Sequence, residues 1–357
     1  MPLATSEVLA DTLNVSAVVD GIPIAISELR YSAKVDSARI VNFTVNTRDY
    51  AHICRLGAKV DIQSGREGSI SNLSFKGIIK RVAPTAMGAM LTAMDYITLL
   101  ATSSFVNYKD EDIIGQDLYF LAASAMNIDK IDTTFLTQGS GIRATSAMQL
   151  KGLQLRKTFI DKCFRHMYKL VDDSTSYRDK INVVHYQYNI PMSNRMEIKR
   201  IDEGNIHTKP SLSISDRSNQ VETITAELDT STMVNSATVV SSTNEDMFFT
   251  YTDNDSAAKY GVMSKLITLN TDNYPELVNE AVRYVGRYSK ESYNFIAVLR
   301  NVDSLVLGDL VEVDIANLER KIKLPIVSYG IDAVEGVKST ITLGRKTLSL
   351  SEIMAKI

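Results

Sequence analysis

Tryptophan is absent from this sequence, and cysteine occurs only at Cys54 and Cys163. Two cysteines exclude a disulfide framework and leave at most one bridge or two buried thiols, so the fold rests on its core. No excess of charge stands in for one: 39 Lys and Arg against 42 Asp and Glu give a formal net charge of −3. Broad attraction to phosphate backbones, which needs clustered Lys and Arg, is therefore disfavoured. Long apolar runs are missing too. The first residues, MPLATSEVLADTLN, have neither the basic start nor the apolar centre of a secretory signal, and no stretch approaches a membrane span. Synthesis in the cytoplasm and no membrane partner are the expectations.

Catalytic signatures are missing as well. There is no G-x-S-x-G elbow, phosphate-binding loop, dinucleotide glycine fingerprint or H-E-x-x-H, and nothing pairs two carboxylates for glycoside hydrolysis. Lys109-Asp110-Glu111-Asp112 reads as a helix start, where negative charge suits the macrodipole. His52-x-Cys54 and Cys163-x-x-His166 supply four zinc-compatible ligand types, but in pairs far apart in sequence. Buried thiols and exposed histidine explain them as well. His185 and His207 stand alone, and Asp253-Asn254-Asp255-Ser256 lacks the glycine and distal glutamate of a calcium loop, so it reads as a turn. No catalytic, cofactor-binding or metal-binding residue is assigned, and no cofactor is expected.

What is present is period-two alternation. Val15, Ala17 and Val19 precede Asp20-Gly21, a hairpin signal, and Ile22, Ile24 and Ile26 follow on the other parity. Pro23 places that second run at an edge or bulge. Val41, Phe43 and Val45 alternate, as do Val60 and Ile62, with further strands about Phe75 to Val82 and Met90 to Met94. The pattern predicts an antiparallel sheet closing on itself, or nearly so. Between about 110 and 172 the spacing becomes helical. Ile113, Ile114, Leu118, Leu121 and Ala125 would share one face, and Leu155, Phe159, Phe164, Met167 and Leu170 another. STSYRDK and STMVNSATVVSSTNED read as loops and exposed strands. TDNYPELVNEAVRYVGRY predicts a third helix, with Asp272 or Asn273 as cap and Pro275 in the first turn.

One segment repeats. LGAKVDI at Leu56 to Ile62 returns as LGDLVEV at Leu307 to Val313, and FKGIIKRV with AMLTAMD is paralleled by IKLPIVSYGIDAVEGVKSTITLG. Two copies of one β domain split by a helical insertion is the economical reading, with a chance match of common residues as the alternative.

The order of these elements resembles the contractile-tail baseplate hub family, the phage late-control-D proteins and the N-terminal half of the type VI secretion spike. The residues carrying the resemblance are Leu56, Gly57, Val60 and Asp61, then Phe75, Gly77 and Ile79, then Asp95 before ITLL. They continue with SISDRSNQVETI at Ser213 to Ile224, Tyr260-Gly261 before a helix, and Leu305 through Gly344. The resemblance spans nearly the whole chain, and its specificity lies in the order.

It implies a β-rich α+β fold with two tube-like antiparallel β-barrel domains and a helical α+β insertion. The expected limits are 1–104 for the first barrel and 105–207 for the linking domain. The second barrel would occupy 208–350, interrupted by a helical segment about 256–291, with a tail at 351–357. The implied function is a structural hub: a homotrimeric ring in the virion tail baseplate, assembled in the host cytoplasm, adapting a six-fold tail tube to a three-fold spike. The partners would be the tail tube protein, other baseplate proteins and a separate spike, since the chain stops at LSLSEIMAKI without a needle; that tail would be a docking helix or a frayed end. DNA or cargo would pass through a neutral or acidic lumen during ejection without specific binding. The rival readings are a binding module for carbohydrate or a receptor, which clustered exposed aromatics would favour, and a cell-wall hydrolase.

Overall fold

The computed structural model describes residues 14–35, 37–45, 54–65, 72–102, 105–127, 131, 133, 139–172, 181–189, 197–202, 212–215, 220–289, 291–300, 305–315, 320–333 and 337–344. His52, His207, the STSYRDK segment and the LSLSEIMAKI tail lie outside them.

The chain opens with a hairpin of β1 (Asn14–Val19) and β2 (Ile22–Ile24). Asp20 and Gly21 turn it with φ of 46° and 85°, the left-handed pair that matches the twist of the flanking strands. Among the described residues β2 pairs only with β1, so Pro23 sits on an edge strand, where its missing N–H costs no ladder bond. Next come β3 (Glu28–Lys34), β4 (Ile40–Val45), β5 (Lys59–Gly65), β6 (Asn72–Thr85) and β7 (Gly88–Met94). Alternation places Leu29, Tyr31 and Ala33 of β3, with Val41, Phe43 and Val45 of β4, inside, and leaves Glu28, Arg30 and Lys34 to solvent.

Asp95 ends this run ahead of α1 (Ile97–Thr102). The linking region holds β8 (Phe105–Tyr108), α2 (Asp110–Ile113), α3 (Leu118–Met126), β9 (Gly152–Leu155) and α4 (Arg156–His166). A three-stranded meander follows, β10 (Tyr168–Asp172), β11 (Ile181–Asn189) and β12 (Glu197–Asp202), with His185 on β11. The first expected helical face is broken in two. Gly115, at φ 82°, turns the chain between α2 and α3, and Ile114 points to solvent while Ile113, Leu118, Leu121 and Ala125 stay buried. Of the second face, Phe159, Phe164 and Met167 are buried, whereas Leu155 is exposed at the end of β9. Leu170 lies on β10 rather than on a helix.

The later part begins with β13 (Leu212–Ser215) and β14 (Val221–Asp229). A β/α unit then intervenes: β15 (Ser236–Ser241), β16 (Phe248–Thr252), α5 (Asn254–Tyr260), β17 (Ser264–Leu269) and α6 (Tyr274–Tyr288). β15 is a strand, as one part of that reading allows, but it is the central strand rather than an exposed one, and its Ala237 and Val239 are fully buried. Its hydroxyls are satisfied across strands: Ser236 and Thr252 meet at 2.9 Å, as do Thr238 and Thr250, which is how a Ser/Thr-rich segment fills a strand without a polar penalty. α6 lies on this sheet through Leu277 and Ala281, with Asn273 at its N-cap and Pro275 in the first turn, as its spacing predicts. Tyr260-Gly261 closes α5 and precedes a strand instead of a helix.

The chain ends in β18 (Ser292–Arg300), β19 (Leu310–Ile315), β20 (Arg320–Asp332) and β21 (Lys338–Gly344). Among the described residues these join the first strands in one 13-stranded sheet of order β14-β18-β21-β20-β3-β4-β7-β6-β5-β1-β2, with β13-β19 attached to β20. The protein is thus a β-rich α+β fold. A single apolar core runs from Ala17 to Leu343 through both ends of the sequence, and a second gathers α1, α3 and α4 beside Ile78 of β6.

Candidate assembly edges

The repeated segments occupy matching places. Gly57 donates its N–H to the Ile79 carbonyl at 2.8 Å and the Ala58 carbonyl accepts the Ile79 N–H at 2.9 Å. Gly308, Ile326 and Asp309 make the same two bonds at 2.8 and 2.9 Å. Both glycines have positive φ, 83° and 78°, which a side chain resists, so the Leu-Gly turn is a conformational requirement in each copy. The match continues into the bulges: β6 slips against β7 between Ile79 and Arg81, and β20 slips against β21 between Ile326 and Ser328.

Strand order agrees position by position. The path β3-β4-β7-β6-β5-β1 corresponds to β14-β18-β21-β20-β19-β13. The last pair differs in direction, β1 running antiparallel to β5 and β13 parallel to β19. Where the first copy links β3 to β4 by a short turn, the second holds the β15–α6 unit between β14 and β18.

The copies meet where β3 pairs with the second half of β20, from Ser328 opposite Lys34 to Asp332 opposite Arg30. Tyr31 and Tyr329 stack there at 5.6 Å with hydroxyls 3.4 Å apart, and Phe75 meets Tyr31 edge-on. Burial holds the Tyr31 phenol well above its ordinary pKa, so it stays neutral. The same positions of the opposite copies have no such cover. Tyr329 and Ile331 are buried, whereas their counterparts Val82 and Pro84 on β6 are half-buried and exposed. Leu29 and Tyr31 are buried, whereas Ile224 and Ala226 on β14 are half-buried and exposed. Leu307 is 1% exposed and its counterpart Leu56 67%.

The residues nominated for chemistry are not brought together. Cys54 belongs to the sheet core and Cys163 to the helical one, and burial raises both thiols, Cys163 to about 12. His166 is half-buried at the end of α4, and among the described residues no three His, Cys, Asp or Glu side chains converge. Asp253 caps α5, its carboxylate accepting the Ser256 N–H at 3.1 Å, so that run starts a helix rather than forming a turn.

Asp95, placed by its sequence only as the residue before ITLL, is a buried carboxyl, 1% exposed. Burial raises its pKa to about 7, against the pull of the Arg39 backbone and charge and the Ile97 N–H, which it accepts at 3.1 Å. The folded state therefore holds a proton that the unfolded chain releases near pH 4, and stability falls as pH rises from there toward 7. Unfolding titrations should show a loss approaching about 1.4 kcal/mol per pH unit in that window, and Asp95→Asn should flatten it. An unchanged slope would place the buried proton elsewhere.

This arrangement, a strand order repeated within one sheet and separated by a helical link, is a fold of phage tail proteins. It superposes on the tail protein from Neisseria meningitidis MC58 with a TM-score of 0.65 at 14% identity, covering 94% of this chain and 97% of that one. The 43 kDa tail protein of prophage MuSo2 from Shewanella oneidensis gives 0.59 at 12% identity over 94% and 98%. Prophage tail protein gp18 from Listeria monocytogenes EGD-e gives 0.56 at 14% identity over 96% and 97%. No family model matches the sequence, and no curated protein matches it either.

Proposed function

We propose that this chain is a structural hub of a phage tail baseplate or related injection machine, acting as a homotrimeric ring and not as an enzyme. The observation that carries this reading is the duplicated strand order. Two nearly equivalent β units per chain let three chains offer six similar surfaces around one axis, which is what a junction between six-fold and three-fold structures requires. The likeness to solved tail proteins supports the setting, a virion tail, with tube and other baseplate proteins as neighbours. On this reading residues 1–104 and 208–350 form the two tube-like units, 105–207 links them, and the ring's channel passes DNA or cargo without gripping it.

Light scattering on the purified protein tests the reading. A threefold mass is expected, and a monomer at every accessible concentration would overturn it.

A further inference from the structure

We infer that copies of this chain join edge to edge by strand pairing, the second half of β6 in one copy against β14 of the next, in a register set by the pairing of β3 with β20. The inference rests on the ring reading for its partner, a second copy, and on the repeat for its geometry.

The equivalences are fixed residue by residue. Because Ile79 matches Ile326 beside matching bulges, Val82 matches Tyr329 and Pro84 matches Ile331. Across the sheet, Ala93 and Leu343 lie opposite Ile79 and Ile326, Val41 and Phe295 lie opposite those, and Tyr31 and Ala226 lie opposite those in turn. Tyr31 of β3 therefore corresponds to Ala226 of β14.

Within the chain one such meeting is made and the other is left open. β3 is flanked by β4 and β20, but among the described residues β14 pairs only with β18, and Arg81–Thr85 of β6 only with β7. These two free edges are the counterparts of the two that meet inside the chain. The exposure contrasts at Val82, Pro84, Ile224 and Ala226 are what a missing neighbour would leave.

Carrying the in-chain register across sets Arg81 opposite Asp229, Val82 opposite Leu228, Ala83 opposite Glu227 and Pro84 opposite Ala226. The bond from Val35 N–H to the Val327 carbonyl, 3.0 Å within the chain, becomes Thr230 N–H to the Lys80 carbonyl between copies. Val82 exchanges both backbone bonds with Leu228. Pro84 has no N–H to give, yet its carbonyl still accepts from Ala226, so the ladder is one donor short at that point. A proline at that point also keeps the open edge of an unassembled chain from adding arbitrary strands.

Ala83 and Glu227 would form a non-hydrogen-bonded pair, the close kind that accepts a disulfide. The test is the double variant Ala83→Cys/Glu227→Cys under mild oxidation, beside the out-of-register Ala83→Cys/Thr225→Cys and each single variant, which controls for the buried native cysteines. In-register cysteines are expected to yield covalent three-chain species, at least roughly tenfold more than the out-of-register pair. A threefold mass by light scattering without preferential in-register cross-linking would overturn the pairing and leave the ring standing. Monomer without cross-links would overturn both. Open-ended cross-linked chains would support the pairing and overturn three-fold closure.

Discussion

Gly77→Ala is expected to destabilise the protein by about 3 kcal/mol or more, enough to leave little folded chain at moderate denaturant. A Cβ built on Gly77 would overlap the Met94 carbonyl oxygen, stand 2.7 Å from the carbonyl carbon and lie 2.6 Å from Cζ of Phe75. Two of those atoms are backbone of the paired strand β7, and the third belongs to a fully buried ring, so none can move cheaply. The requirement is local to the first copy, because the matching position in β20 is Leu324. Gly330→Ala is the comparison. There the new carbon would meet only the Tyr31 carbonyl oxygen at 3.4 Å, and the change should stay within about 1 kcal/mol. Equal denaturation midpoints for the two variants would show that β6 and β7 do not approach as described.

The second large effect is expected at the seam. Tyr31 is 2% exposed and touches both Tyr329 and Phe75, so Tyr31→Ala should cost about 3 to 5 kcal/mol through the cavity it opens between the two copies. Tyr31→Phe keeps the ring and removes one hydroxyl. It should cost about 1 kcal/mol, since the Tyr329 hydroxyl loses its 3.4 Å partner. Chemical denaturation of both variants separates packing from hydrogen bonding. If Ala and Phe cost the same, the ring is not what holds the seam.

The sheet was legible from sequence where one face is buried and the other wet. Val41, Phe43 and Val45 alternate with polar neighbours because β4 has an inside and an outside, and the Asp20-Gly21 turn announces itself by residue type. The doubled Leu-Gly strand was legible for the same reason: positive φ at Gly57 and Gly308 leaves little choice of residue. The burial of β15 was not legible, because the hydroxyls of Ser236 and Thr238 bond to partners on β16, Thr252 and Thr250, that the segment's own polar composition does not reveal. Nor was the seam, since Tyr31 and Tyr329 are 298 positions apart and each strand alone looks like any other. Asp95 gave no signal as a buried acid, because burial is a property of the assembled core and not of its neighbours in sequence.

The distance spanned by that seam has a consequence for biosynthesis. β20 leaves the ribosome only after most of the chain, so β3 must wait beside β4 with its other edge bare. Contacts this remote close slowly, because the loop entropy is lost before any packing compensates it. Meanwhile the side chains that β3 turns to water, Glu28, Arg30 and Lys34, mark its flank with mixed charge, which discourages a stray strand from docking first. Maturation of the fold is thereby tied to synthesis of its last quarter, and a truncated chain is left with an edge that its own missing strand was meant to fill.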